Sequence, residues 1–118
     1  MNTILIVDDS KTSRSMLRNI LEQNGYEVIA EATNGQEGFE KYCELKPDLV
    51  TLDITMPIMD GIETLVKIKE YDSTARVIMV TAAGQKGKML DAIKLGASEF
   101  VTKPFETGQI ISIIESIK

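Results

Sequence analysis

Short apolar runs alternate strictly with segments of helical periodicity along this chain, and this alternation limits the possible folds more than any other feature. Five runs have the composition of strands, at residues 4–7, 26–31, 49–52, 76–81 and 99–102. A segment of helical spacing follows each of them. Such alternation predicts a parallel sheet with helices on both faces and right-handed crossovers. We therefore expect an α/β protein, a (βα)5 three-layer sandwich.

The residues of each run predict its place in the sheet. Runs 4–7 and 76–81 are almost continuously apolar, which is typical of central strands covered on both faces. Runs 26–31 and 99–102 mix apolar with polar residues, which favours the edges of a sheet. The strand order 2-1-3-4-5 satisfies both conditions, and it makes the expected fold flavodoxin-like.

The helical segments carry apolar residues at a spacing that predicts a core-facing side for each helix. For the first, fourth and fifth helices these residues are Met16, Leu17, Ile20 and Leu21, then Met89, Leu90 and Ile93, and finally Ile110, Ile113, Ile114 and Ile117.

The size and composition of the chain exclude several classes of function. Its 118 residues fit one domain, 1–118, and we expect no output domain. The net charge of -5 argues against nucleic-acid and anionic-membrane partners, and the absence of histidine excludes histidine-based catalysis or phosphate carriage. Cys43 is the single cysteine, which fits a reducing cytoplasm. Run 4–7 is too short for a signal peptide or a membrane span.

Charged and hydroxyl residues stand at the ends of four predicted strands. Asp8 and Asp9 follow the first strand, Asp53 follows the third, Thr81 ends the fourth and Lys103 follows the fifth. In an open parallel sheet, ligands bind beyond the carboxyl ends of the strands, where the winding direction switches. The order 2-1-3-4-5 puts that switch between the first and third strands, so we expect these side chains to lie together.

A group of three carboxylates predicts a cation among them, because the like charges repel each other. Oxygen ligands suit a hard cation, and Mg²⁺ is the expected one. A carboxylate beside a divalent cation can attack phosphorus and form an acyl phosphate. Lys103 would then neutralise the phosphoryl oxygens, and Thr81 would donate a hydrogen bond to one of them.

Each residue taken alone also has a simpler interpretation. Asp8, Asp9 and Asp60 suit helix caps. Asp53 suits an ordinary loop acid. Thr81 suits an ordinary strand residue, and Lys103 suits a solvated surface charge. The functional interpretation depends on the convergence of the strand ends at one place.

Four segments make the chain resemble a response-regulator receiver domain over essentially all of its length. They are IVDDS at 6–10, DITMPIMDG at 53–61, VTA at 80–82 and KPF at 103–105. Segments 47–57 and 83–85 resemble the chemotaxis members of that family from Gram-positive and deep-branching motile bacteria.

This resemblance implies that Asp53 becomes a 4-aspartylphosphate by accepting a phosphoryl group from a sensor histidine kinase. It also implies that Asp9, Asp53 and the Thr55 backbone carbonyl bind Mg²⁺ directly, with Asp8 acting largely through a metal-bound water.

The resemblance further implies roles at the ends of the fourth and fifth strands. Thr81 and Lys103 would contact the phosphoryl oxygens, and the Lys103–Pro104 bond would be cis. Thr81 and Phe100 would move together as the switch. The short Ala83 predicts an open approach for hydrolytic water, and hence a short-lived phosphorylated state.

The implied protein is not an enzyme beyond its own phosphorylation and autodephosphorylation. Its implied partners are a CheA-like sensor kinase, a flagellar motor switch protein and a CheC- or CheX-like phosphatase, and the implied state is a cytoplasmic monomer. Three alternatives stay open: a phosphorelay intermediate that passes its phosphoryl group to a histidine phosphotransferase, an aspartate-nucleophile phosphatase, and a flavin- or nucleotide-binding module. The phosphatase requires an acid where Thr55 stands, and no G-x-G-x-x-G or Walker pattern follows the first strand.

Overall fold

The computed structural model describes residues 2–82 and 84–117, and strands and helices alternate along them. The strands are β1 (Thr3–Val7), β2 (Glu27–Ala32), β3 (Leu49–Asp53), β4 (Val77–Ala82) and β5 (Glu99–Lys103). The helices are α1 (Lys11–Gln23), α2 (Gly35–Leu45), α3 (Gly61–Tyr71), α4 (Lys86–Lys94) and α5 (Thr107–Ser116). All neighbouring strands are parallel, in the order β2-β1-β3-β4-β5, so the predicted fold and strand order are confirmed.

The sheet separates two hydrophobic cores, because successive residues of a strand point to opposite faces. The first core packs β-strand residues against α2, α3 and α4, and its largest members include Leu5, Val50, Leu52, Met79, Tyr42, Leu65, Ile68 and Met89. The second core packs the other face against α1 and α5, and it includes Ile4, Ile6, Ile78, Val80, Leu17, Leu21, Ile110 and Ile114. Burying each such side chain contributes about 1.5–3 kcal/mol.

Three helices begin at a side chain that caps the first turn. Ser10, Asn34 and Asp60 accept hydrogen bonds from the backbone N–H groups three residues later, at the starts of α1, α2 and α3. The simpler interpretation of Asp60 as a helix cap is therefore confirmed. Within the described residues, Gln85 makes no such bond at the start of α4.

Three of the helix residues predicted to face the core are exposed instead, so the predicted core-facing sides are partly wrong. Met16 is 53% exposed, Leu90 is 61% exposed and Ile93 is 39% exposed. The buried side of α1 carries Leu17 and Leu21, and that of α4 carries Met89 and Ala92. Each mispredicted residue lies next in sequence to a buried one, which places it about 100° around the helix and away from the sheet.

Ile58 occupies a strained backbone position in the loop between β3 and α3. Its φ angle is 71°, its side chain is 82% exposed, and Met59 N–H donates to Pro57 O across it at 2.7 Å. These features define a γ-turn whose central residue has a φ that β-branched side chains rarely adopt.

We therefore expect Ile58→Asn to raise the free energy of unfolding by about 0.5–1 kcal/mol, because asparagine tolerates positive φ better. Urea unfolding of both proteins measures the difference. The matched control is Leu90→Asn, which also removes an exposed apolar side chain but lies in a regular helix. An Ile58→Asn protein no more stable than the original would contradict this account.

Candidate acidic site at the carboxyl edge of the sheet

The strand order brings three carboxylates to one edge of the sheet. Asp53 is the last residue of β3, and Asp8 and Asp9 directly follow the adjacent β1. Carboxylate oxygens of the three residues lie within 4.8 Å of one another. Asp8 and Asp53 are largely buried, with 7% and 12% of their side chains exposed, whereas Asp9 is open to solvent.

Lys103 reaches the site from the end of β5 and is shared between the two buried acids. Its Nζ lies 2.9 Å from Asp8 Oδ2 and 3.5 Å from Asp53 Oδ2. Ser13 Oγ, in the first turn of α1, accepts a third bond from Lys103 Nζ at 3.4 Å. One ammonium therefore serves two carboxylates, and the site has an excess of negative charge.

This excess of negative charge shifts the pKa values of Asp53 and Lys103. Burial and the neighbouring Asp8 charge raise the pKa of Asp53 from its ordinary value of 3.8 to about 6, although Lys103 opposes the shift. Burial by itself would lower the pKa of Lys103, but its hydrogen bond to Asp8 and the charges of both acids outweigh burial and raise it. Lys103 is consequently charged at neutral pH, and Asp53 is a carboxylate that gains from any further cation.

The raised pKa predicts an unusual pH dependence of stability in the metal-free protein. Unfolded Asp53 loses its proton near pH 3.8 and native Asp53 near pH 6, so the free energy of unfolding falls as the pH rises through this window. We expect Asp53→Asn to be more stable than the original by about 1–2 kcal/mol near neutral pH, after allowance for solvent screening.

Urea unfolding across this pH range, with chelator present, tests the expectation. The advantage of Asp53→Asn should shrink as the pH falls and vanish below about pH 4, where both states of Asp53 are protonated. Asp60→Asn is the matched control, since that acid is exposed and outside the cluster. An advantage that does not vary with pH would contradict the proposed cause.

Backbone and side-chain contacts hold Asp8 in place. Ser10 N–H donates to Asp8 Oδ1 at 2.9 Å, and Arg14 Nη1 donates to the Asp8 carbonyl at 2.7 Å. Arg14 is itself paired with Glu31 of β2 at 3.0 Å. Ser13 and Arg14 were not predicted from the sequence, because the residue types in the helix after the motif do not show which side chains turn back toward it.

A hydrogen-bonded chain crosses the opposite side of the site. The buried Thr81 hydroxyl donates to Gln85 Oε1 at 2.7 Å, and Gln85 Nε2 donates to Thr55 Oγ1 at 2.5 Å. Gln85 therefore joins the loop after β3 to the loop after β4. Thr81 and Thr55 were predicted at the site from the sequence, whereas the contact of Gln85 with both was not, because it depends on the meeting of two distant loops.

The remaining predicted site residues lie where the strand order requires. The Lys103–Pro104 peptide bond is cis. Phe100 in β5 is partly buried and packs against the first core. Ala83 lies outside the described residues, so the hypothesis about hydrolytic water stays a prediction.

Close backbone packing fixes the loop that follows Asp53. Gly61 N–H donates to Ile54 O at 2.7 Å, and a Cβ at Gly61 would lie only 2.0 Å from Asp53 O. Gly35, at the start of α2, donates to Met59 O at 3.1 Å and is equally crowded. The β3–α3 loop is thus held against α2 and the end of its own strand.

The donor set suits a magnesium ion. Three carboxylates within reach of one another, one of them exposed, leave room for a hard cation that keeps part of its water shell. Among the described residues, Asp8, Asp9 and Asp53 are the grouped acids that could hold it. The negative excess left after pairing with Lys103 favours such an ion on electrostatic grounds.

Comparisons with known proteins agree with this geometry. A family model described as the response regulator receiver domain matches residues 4–115. The chain is 50% identical over 115 residues to a chemotaxis protein CheY of Listeria monocytogenes, covering 98% of this chain and 97% of that protein. It is 52% identical over 111 residues to CheY of Bacillus subtilis, covering 94% and 92%. One chain of a solved CheX–CheY–BeF3–Mg complex from Borrelia burgdorferi matches the structure of this chain with a TM-score of 0.94 and is 39% identical to it in sequence. The match covers 98% of this chain and 87% of that one.

Proposed function

This chain belongs to the response regulator receiver domain family, and from that premise we propose that Asp53 is its phosphoacceptor. The observation that carries the proposal is the position of Asp53, a largely buried carboxylate at the end of β3 that shares Lys103 with Asp8. A nucleophile in this setting has a fixed ammonium beside the place where phosphoryl charge arrives.

The proposed reaction transfers a phosphoryl group from a phosphohistidine of a separate, CheA-like sensor kinase. An oxygen of the Asp53 carboxylate forms a bond to phosphorus, the N–P bond of the donor breaks, and the imidazole leaves with its electron pair. Lys103 neutralises one phosphoryl oxygen and Thr81 donates a hydrogen bond to another. Hydrolysis of the acyl phosphate by water returns the carboxylate and releases inorganic phosphate.

Asp9, Asp53 and the Thr55 carbonyl would hold Mg²⁺ directly, with Asp8 acting largely through a metal-bound water, and the ion would supply positive charge for the phosphoryl oxygens. The chain's own groups do the rest: Ser10 and Arg14 hold Asp8, and the packed loop after β3 holds Asp53. We propose no activity on other substrates. The phosphatase alternative lacks support, since Thr55 offers a hydroxyl already bonded to Gln85 where that chemistry requires an acid.

The proposed output is a phosphorylation-dependent contact with another protein in chemotaxis. High identity to CheY proteins over most of their length supports a flagellar motor switch protein as the target, in the cytoplasm. The Borrelia complex of CheX with CheY supports a CheX- or CheC-like phosphatase as a second partner. The exposed Leu90, Ile93 and Leu95 in and after α4 are available for such contacts.

Incubation with acetyl phosphate and Mg²⁺, followed by peptide mapping, tests the phosphoacceptor. We expect one label on the peptide that contains Asp53, and complete loss of that label in Asp53→Asn. Asp60→Asn is the matched control, because Asp60 is on the same loop but caps α3, and it should keep the label. Label on another residue, or none in the original protein, would refute the proposal.

A further inference from the structure

We propose that Gln85 is a positioning residue that holds Thr81 in its resting orientation, so that phosphorylation of Asp53 must take the Thr81 hydroxyl away from it. The inference rests on the proposed function of Asp53 and deepens it. In this role, Gln85 controls how readily the site changes from its resting to its phosphorylated arrangement.

The geometry gives Gln85 two partners that belong to the site. Its Oε1 accepts the Thr81 hydroxyl at 2.7 Å, and its Nε2 donates to Thr55 Oγ1 at 2.5 Å. The carbonyl of Ala82 lies farther from the Thr81 hydroxyl, at 3.3 Å. The side chain thus uses both ends of its amide to join two loops at the mouth of the site.

A hydroxyl has one proton, so Thr81 donates strongly to one acceptor at a time. Thr81 is fully buried, so bulk water does not replace a lost acceptor at no cost. In the resting protein the neutral Gln85 amide satisfies the hydroxyl. A phosphoryl oxygen is a charged acceptor and forms the stronger bond, so phosphorylation displaces Gln85.

Gln85 is also placed to carry this change into α4. It is the residue before α4, and its side chain is used at the site and makes no capping bond to that helix within the described residues. Its own carbonyl accepts the N–H of Met89 at 3.1 Å, in the first turn. Loss of the bond from Thr81 therefore frees the amide oxygen of Gln85 at the start of α4.

The affinity of the protein for beryllofluoride in the presence of Mg²⁺ measures how strongly Gln85 holds Thr81 in its resting orientation. We expect Gln85→Met, which keeps length but loses both hydrogen bonds, to bind beryllofluoride about two- to tenfold more tightly at fixed Mg²⁺, the range of a single lost hydrogen bond. Isothermal titration or fluorine NMR provides the affinity. Lys88→Ala is the matched control, since it changes an exposed α4 residue and should leave the affinity unchanged. Simple damage to the site would weaken binding, so the sign of the effect is diagnostic.

The same substitution in a Thr81→Ala background tests the mechanism. There the acceptor has lost its donor, so Gln85→Met should no longer tighten binding. Urea unfolding midpoints without Mg²⁺ or beryllofluoride should also be non-additive for the two substitutions, because the residues are in direct contact.

The possible outcomes separate the two proposals. Failure of the original protein to bind beryllofluoride with Mg²⁺ would overturn the proposed function and the role of Gln85 with it. If the original protein binds, an unchanged or weakened affinity in Gln85→Met would overturn the role of Gln85 alone. Tightening that persists in the Thr81→Ala background, or additive unfolding midpoints, would overturn it as well.

Discussion

Lys103→Met is expected to slow phosphorylation of Asp53 by at least about a hundredfold, the usual cost of removing a preorganised charge from a phosphoryl-transfer site. Lys103 is the ammonium that lies between Asp8 and Asp53, at 2.9 and 3.5 Å. Without it, an incoming phosphoryl group meets two largely buried carboxylates whose repulsion is no longer offset. Methionine keeps the apolar stem, so the loss isolates the charge.

The measurement is the rate of labelling by acetyl phosphate at a fixed Mg²⁺ concentration. Lys103→Arg separates charge from shape, and we expect only partial recovery because the planar guanidinium does not reproduce a point charge between two acids. Lys88→Met is the control for loss of a lysine elsewhere, since Lys88 is exposed on α4. A Lys103→Met protein that is labelled within tenfold of the original rate would show that this ammonium is not needed.

Gly61→Ala is expected to lower the free energy of unfolding by about 3 kcal/mol or more, in the range of severe overpacking. A Cβ there would lie 2.0 Å from Asp53 O and 2.7 Å from Ile54 Cα, and both are backbone atoms that cannot turn aside. The first turn of α3 would have to move away from the end of β3. The same movement would break the bond from Gly61 N–H to Ile54 O.

Urea unfolding provides the measurement, with Gly108→Ala as the matched control. Gly108 also lies in the first turn of a helix, but apart from its chain neighbours and the backbone of its own helix no atom of the described residues lies within 4 Å of its added Cβ. Alanine there should be neutral or raise the free energy of unfolding by up to about 1 kcal/mol, from helix propensity. Equal effects at the two glycines would show that crowding at Gly61 is relieved without cost.

The fold was predictable because parallel strands covered on both faces need continuous apolar runs, and runs 4–7 and 76–81 have them. The gathering of Asp8, Asp53 and Lys103 follows from strand order alone, since parallel strands end at one edge. What the sequence could not show was which side chains turn toward that edge from the helices and loops. Gln85 joins the site through a contact with Thr55, a residue distant in sequence, and Arg14 turns back to the Asp8 carbonyl from the helix that follows; local periodicity carries no information about either contact.

The errors in α1 and α4 have a related cause. Met16, Leu90 and Ile93 are as hydrophobic as their buried neighbours, and composition cannot distinguish two adjacent positions on a helix. Their exposure is decided by the packing of each helix on the sheet. On α4, the small Ala92 is buried while the larger Leu90 is exposed.

Because the sheet divides the interior into two cores, the two sides of the domain can evolve separately. Phe100 and Met89 pack in the first core, whereas Leu17 and Ile110 pack in the second, on the far side of the strands. Substitutions that reshape the α4 surface for a new target therefore have their packing neighbours in one layer only. The α1 and α5 layer next to Lys103 can be inherited intact, so recognition of a target and receipt of a signal can diverge separately within one small domain.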